Sequence, residues 1–117
     1  MSKIKVYGIS GCTTVKRSKE FLEKNNADFD YLHFHKVEDL GSEIKFWFEK
    51  AGKDKVLNQA GRNYKQLDEN LRKSMQADDD VAIREMVQLP QLIKRPMAVK
   101  GDLVLTGFKE EQWNELI

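Results

Sequence analysis

Polar and apolar residues alternate through Lys3-Ile4-Lys5-Val6-Tyr7-Gly8, a period of two that predicts a short strand over Ile4–Gly8. Ile9-Ser10-Gly11 then breaks the pattern. From Thr13 to Asn25 the apolar residues Val15, Phe21 and Leu22 fit one helical stripe imperfectly, and Asn25-Asn26 is a plausible stop. Period two returns between Asp28 and His35. Phe29, Tyr31, His33 and His35 alternate there with Asp30, Leu32 and Phe34, which predicts a strand over 30–34. Two strands joined by one helix form a βαβ unit, expected to be parallel and right-handed.

Further on, Ser42 is expected to cap a helix carrying Ile44, Phe46, Trp47 and Phe48, with Gly52 ending it. Residues 54–89 hold no good strand. They read as short helices over about 53–57, 65–75 and 79–88, with Asp78-Asp79-Asp80 capping the last and Leu89-Pro90 stopping it. Met97–Lys100 and Leu103–Thr106 flank Gly101-Asp102, a two-residue hairpin turn. A closing helix over 109–117 should turn Trp113 and Leu116 inward. The order is β-α-β, a helical block over about 42–89, then β-β-α. With the block set aside, that is the thioredoxin/glutaredoxin order: an α/β fold with a mixed four-stranded sheet and an inserted helical subdomain.

A length of 117 residues fits one domain, taken as 1–117, with a core that needs no disulfide or metal. Lys and Arg total 20 against 19 for Asp and Glu, so charge makes no case for direct nucleic-acid binding. The N-terminal residues lack the apolar run of a signal peptide, and no window approaches the roughly 18 apolar residues of a membrane span. A lone cysteine rules out an internal disulfide and suits a reducing cytosol. The expectation is a cytoplasmic protein with no membrane partner.

That cysteine, Cys12, carries the clearest chemistry. It lies where the first strand hands over to the first helix. Unpaired backbone N–H groups and the positive end of the helix dipole there favour thiolate, the nucleophilic form. Thr13 and Thr14 follow it, as helix-start residues or as hydroxyl donors to the thiolate. Lys16 and Arg17 add positive charge one turn on. Val15 occupies the place of the second cysteine in a CxxC motif, so another molecule must resolve a mixed disulfide at Cys12. A phosphatase loop of the form Cys-x5-Arg is excluded, because Ser18 holds the arginine position. His33 and His35 share a strand face without metal-ligand spacing, and no metal or bound cofactor is expected.

Four segments resemble the ArsC/Spx/YffB group of thioredoxin-like proteins. They are Tyr7 to Arg17, the stretch from Leu57-Asn58 through Gly61 to Tyr64-Lys65-Gln66-Leu67-Asp68, Leu89-Pro90-Gln91-Leu92-Ile93-Lys94-Arg95-Pro96, and Gly107-Phe108-Lys109-Glu110-Glu111. The short YffB-like branch matches best. The resemblance implies that Cys12 attacks a disulfide or an oxyanion and that Arg95 stabilises the anionic group there. It also implies a cis Arg95–Pro96 bond near Cys12. The group's mid-chain arginine falls at Asn58 or Ala60. Arg62 lies two residues past the latter and either substitutes for it or is solvated. A third arginine, near Gly107-Phe108, is absent as in the YffB and Spx branches.

The activity implied is a monothiol reductase, with glutathione as co-substrate and glutathione or glutaredoxin as the external reductant. Each missing charge-assisted contact weakens an arsenate site by about 1.5–3 kcal/mol, so a glutathione mixed disulfide suits the residues better than arsenate does. The alternative is an Spx-like regulator that binds RNA polymerase. Spx-like redox switching uses the CxxC pair that Val15 removes.

Overall fold

A computed structural model describes residues 3–117. In chain order the elements are β1 (Ile4–Gly8), α1 (Thr13–Lys24), β2 (Phe29–His33), α2 (Leu40–Ala51), α3 (Lys53–Val56) and α4 (Arg62–Lys65). Then come α5 (Glu69–Ala77), α6 (Asp79–Gln88), β3 (Met97–Lys100), β4 (Leu103–Thr106) and α7 (Glu110–Trp113). They form two compact units, residues 3–38 with 95–117 and residues 39–94.

The first unit holds a mixed sheet of order β2-β1-β3-β4. β1 pairs β2 in parallel, Val6 opposite Tyr31 and Gly8 opposite His33. β1 pairs β3 antiparallel, and β3 pairs β4 as the expected hairpin. Ile4, Val6, Leu22, Ala98, Trp113 and Leu116 form its buried core, the Val, Leu and Ile side chains contributing about 1.5–3 kcal/mol each. Phe108 bridges this core to α1, edge-on to Trp113 at 5.1 Å and to Phe21 at 5.6 Å. β2 starts and ends one residue earlier than the sequence pattern implies. His33 Nδ1 accepts from the His35 N–H at 3.1 Å, and Phe34–Lys36 tighten into a 3₁₀ turn. The closing helix also tightens, into a 3₁₀ turn over Asn114–Leu116, while keeping Trp113 and Leu116 buried.

The second unit is helical, with Ile44, Trp47, Met75, Ala82 and Met86 fully buried. Its first cap corrects the sequence reading: α2 starts at Leu40 because Asp39, not Ser42, caps it. The Asp39 carboxylate accepts from the Ser42 N–H at 3.2 Å and the Ser42 hydroxyl at 2.7 Å. The helix expected over 65–75 is likewise broken in two. Asp68 intervenes, accepting from the N–H groups of Asn70 and Leu71 and so starting α5 afresh. Asp78 caps α6 as expected. The unit runs past Pro90 to Lys94, since the Asn58 N–H donates to the Leu92 carbonyl and the Lys94 N–H to the Val56 carbonyl, both at 2.8 Å. Lys53 ties α3 to the α5–α6 junction, donating to Asp79 at 2.9 Å and the Gln76 carbonyl at 3.2 Å.

The Asp39 cap makes a pH prediction. The Ser42 hydroxyl, and then its N–H, hold the carboxyl below the usual aspartate range. Its folded pKa is depressed, so its stabilisation is present above the unfolded value of about 3.9 and is lost as pH falls through the lower folded value. Urea midpoints of wild type and Asp39→Asn should differ by a constant amount above about pH 5 and converge in stronger acid. A gap that persists in strong acid would refute the charged cap.

Candidate active site

β1 ends at Gly8, and Ile9–Gly11 carry the chain to the start of α1. Gly11 has φ +74, a left-handed backbone that strains any side chain but glycine's. That bend sets Cys12 as the N-cap of α1, with φ −89 and ψ 117. No side chain caps this helix, and its first turn holds no acidic residue. Its first N–H groups and the positive end of its dipole are therefore directed at the position occupied by the thiol.

Cys12 is half-buried in the wall of a cavity of about 460 Å³. The wall is built from the Ile9–Thr13 loop, from Val15, Lys16 and Lys19 on α1, and from Tyr31 on β2. Two ammonium groups beside an uncapped helix start make the cavity cationic, suited to a thiolate or an anionic ligand. Lys19 Nζ sits 4.2 Å from the centre of the Tyr31 ring. Burial, and then the charge of Cys12, push the Tyr31 phenol above its ordinary value.

Gly8 is needed here for a steric reason. A Cβ on it would lie 2.7 Å from Val15 Cγ2 and 3.2 Å from the Tyr31 hydroxyl. Gly8→Ala is expected to cost about 1–3 kcal/mol of stability by overpacking and to slow alkylation of Cys12 as α1 shifts. Unchanged urea unfolding and alkylation would overturn this.

The sequence-predicted residues distribute unevenly. Thr13 lines the cavity beside Cys12, whereas Thr14, half-buried, does not. Arg95 and Pro96 lie just ahead of β3, whose register sets Met97 opposite Tyr7. They therefore enter the sheet beside the end of β1, where the Cys12 loop departs. Their peptide bond is cis, and the Pro96 carbonyl accepts from the Gly107 N–H at 2.9 Å. Arg95 is half-buried and does not line the cavity. Arg62 is exposed at the first position of α4, within the helical unit. His33 and His35 stack at 4.7 Å. Among the described residues no cluster of three or more His, Cys, Asp or Glu could hold a metal ion, and no helix is long and apolar enough to cross a membrane.

Two cavity residues escaped the sequence reading. Lys19 carried a signal, since positions 12, 16 and 19 fall on one helix face. Tyr31 did not: only the β1–β2 register brings it to the cavity.

The model of the ArsC family matches residues 7–116. The chain belongs to the ArsC family. Its relatives include the uncharacterized protein YusI of Bacillus subtilis (strain 168), 30% identical over 112 residues that cover 93% of each chain. Among solved structures, the YFFB (PA3664) protein superposes with a TM-score of 0.87 at 29% identity, covering 97% of both chains. An arsenate reductase (ArsC) related protein from Brucella melitensis superposes with a TM-score of 0.76 at 25% identity, over 97% of this chain and 92% of that one. The thioredoxin-like ArsC fold, with its mixed four-stranded sheet, is thus shared along nearly the whole chain.

Proposed function

We propose that this ArsC-family protein is a cytosolic, thiol-dependent reductase in which Cys12 is the nucleophile. The observation that carries the reading is a lone thiol at an uncapped helix N-terminus in a lysine-lined cavity. The substrate class that fits is a glutathione mixed disulfide. Cys12 thiolate attacks the glutathione sulfur, a Cys12–glutathione disulfide forms, the substrate disulfide breaks, and the departing thiolate takes a proton from water. A second glutathione, as thiolate, attacks the Cys12-bound sulfur and leaves as oxidised glutathione, restoring the Cys12 thiolate. The substrate sulfur is reduced and glutathione is oxidised. Glutaredoxin is the alternative donor. An external thiol is required because the chain has one cysteine.

In this reading the Thr13 hydroxyl contacts the bound anion from the cavity wall, and Thr14 supports the start of α1. Arg95, which enters the sheet beside the end of β1 where the Cys12 loop departs, is the candidate arginine for the anion. Arg95→Ala should lower turnover by about 10–100-fold, the equivalent of one charge-assisted hydrogen bond. Lysine at the same position should restore only part of it, since it lacks the planar fork. An Arg95→Ala enzyme as fast as wild type would remove the arginine from the site.

The test of the function is glutathione-dependent turnover of a mixed-disulfide substrate beside arsenate reduction. Turnover of the disulfide with little arsenate reduction is expected. No turnover of either, together with binding to the C-terminal domain of the RNA polymerase α-subunit, would mark a regulator instead.

A further inference from the structure

We propose that Lys16 and Lys19 form a subsite for the glycyl carboxylate of a glutathionyl group, and so select a carboxylate-bearing disulfide over an uncharged one at Cys12. The assignment rests on the reading of Cys12 as the nucleophile that exchanges with glutathione.

The wall of the Cys12 cavity includes both lysines and no acidic residue. The first turn of α1 is likewise free of acid. A rise of about 1.5 Å per residue sets Lys16 about 6 Å and Lys19 about 10 Å along the helix axis from Cys12. Long side chains on a helix lean back toward its N-terminus, here toward the sulfur. Glu20 and Glu23 stand four residues beyond Lys16 and Lys19, the spacing of a helical ion pair. Yet among the described residues neither lysine forms an ion pair. Lys19 is instead held against the cavity wall, its ammonium 4.2 Å from the centre of the Tyr31 ring. Two cations without a counter-charge, in line with a thiol, make an anion site displaced along the helix from the sulfur.

That displacement decides the ligand. A compact oxyanion bound at Cys12 stays at the helix start and does not extend along α1 to Lys19. A glutathionyl group does extend. With its sulfur at Cys12, its glycyl carboxylate lies one residue further along the peptide. Unlike the γ-glutamyl carboxylate, it has no ammonium of its own beside it, so it gains most from an unpaired pair of lysines.

The test is stoichiometric and needs no turnover. Cys12 thiolate attacks one sulfur of oxidised glutathione. The glutathione disulfide breaks, a Cys12–glutathione disulfide forms, and the released glutathione thiolate takes a proton from water. Mass spectrometry follows the rate, and every adduct reports the single cysteine. The rate is then measured with the disulfide of glutathione glycyl ethyl ester, which masks only that carboxylate. Both rates are taken on one thiol, so a changed thiolate fraction cancels in their ratio. Wild type should favour oxidised glutathione by about tenfold, about threefold for each partly screened ion pair, and less in high salt. Lys16→Gln and Lys19→Gln should each lose about threefold of this preference, and the double variant all of it. Lys19→Arg, which keeps the charge, should retain it. A wild type without the preference, or a double variant that keeps it, would overturn the assignment. A wild type that shows the preference but fails to turn over the mixed disulfide sinks the reductase reading alone. Turnover without the preference sinks the subsite alone, and no adduct with either disulfide sinks both.

Discussion

Cys12→Ser is expected to lose mixed-disulfide turnover by at least about a thousandfold while folding slightly more stably than wild type. The loss follows from chemistry. A serine hydroxyl at this position has no adjacent base to ionise it, and no second thiol can take over. The stability gain follows from the helix. α1 has no side-chain cap, and serine is among the favoured N-cap residues, worth about 1 kcal/mol. The thiol is therefore kept where a better cap would fit. Paired turnover and urea-unfolding measurements check both halves. Turnover above about a tenth of wild type would rule Cys12 out as the nucleophile.

Trp113→Ala has the largest expected effect on stability, a loss of about 3–5 kcal/mol. The ring is fully buried in the core of the first unit and is edge-on to Phe108, and its Nε1–H donates to the Gly107 carbonyl at 2.9 Å. Alanine leaves a cavity and strips a donor from that carbonyl. Against a typical total of about 5–15 kcal/mol, this is a large share. The urea midpoint should fall by on the order of 2 M, and Trp113→Phe, which keeps the apolar ring but not the donor, should lose less. A fall of under about 0.5 M for alanine would show that the C-terminal segment is not part of the cooperative core.

Where the chain has strong periodicity and short-range turn chemistry, the sequence was easily legible. β1, the β3–β4 hairpin and α6 lie where alternation, Gly101-Asp102 and the Asp78 cap put them. The misplacements all involve local competition between hydrogen bonds. At Asp39 an earlier carboxylate takes the cap that Ser42 was expected to supply. At Asp68 a new cap interrupts what reads as one continuous helix. After His33, a ring nitrogen takes the N–H of His35 and ends the strand. Each choice depends on side-chain geometry that residue type leaves open.

The element order, the place of the lone thiol at a strand-to-helix turn and the lack of a second thiol were legible in the sequence, because these depend on near neighbours and on a count of one cysteine. The tertiary structure alone decided what surrounds that thiol. Register between β1 and β2 brings Tyr31, nineteen residues away in sequence, into the wall of the Cys12 cavity and places its hydroxyl over Gly8. Pairing of β1 with β3 carries Arg95 and Pro96 to the same end of the sheet. Long-range pairing carries no local signature in a single chain. It is decided by the burial of a shared core, and only then do the side chains that line the cavity become known.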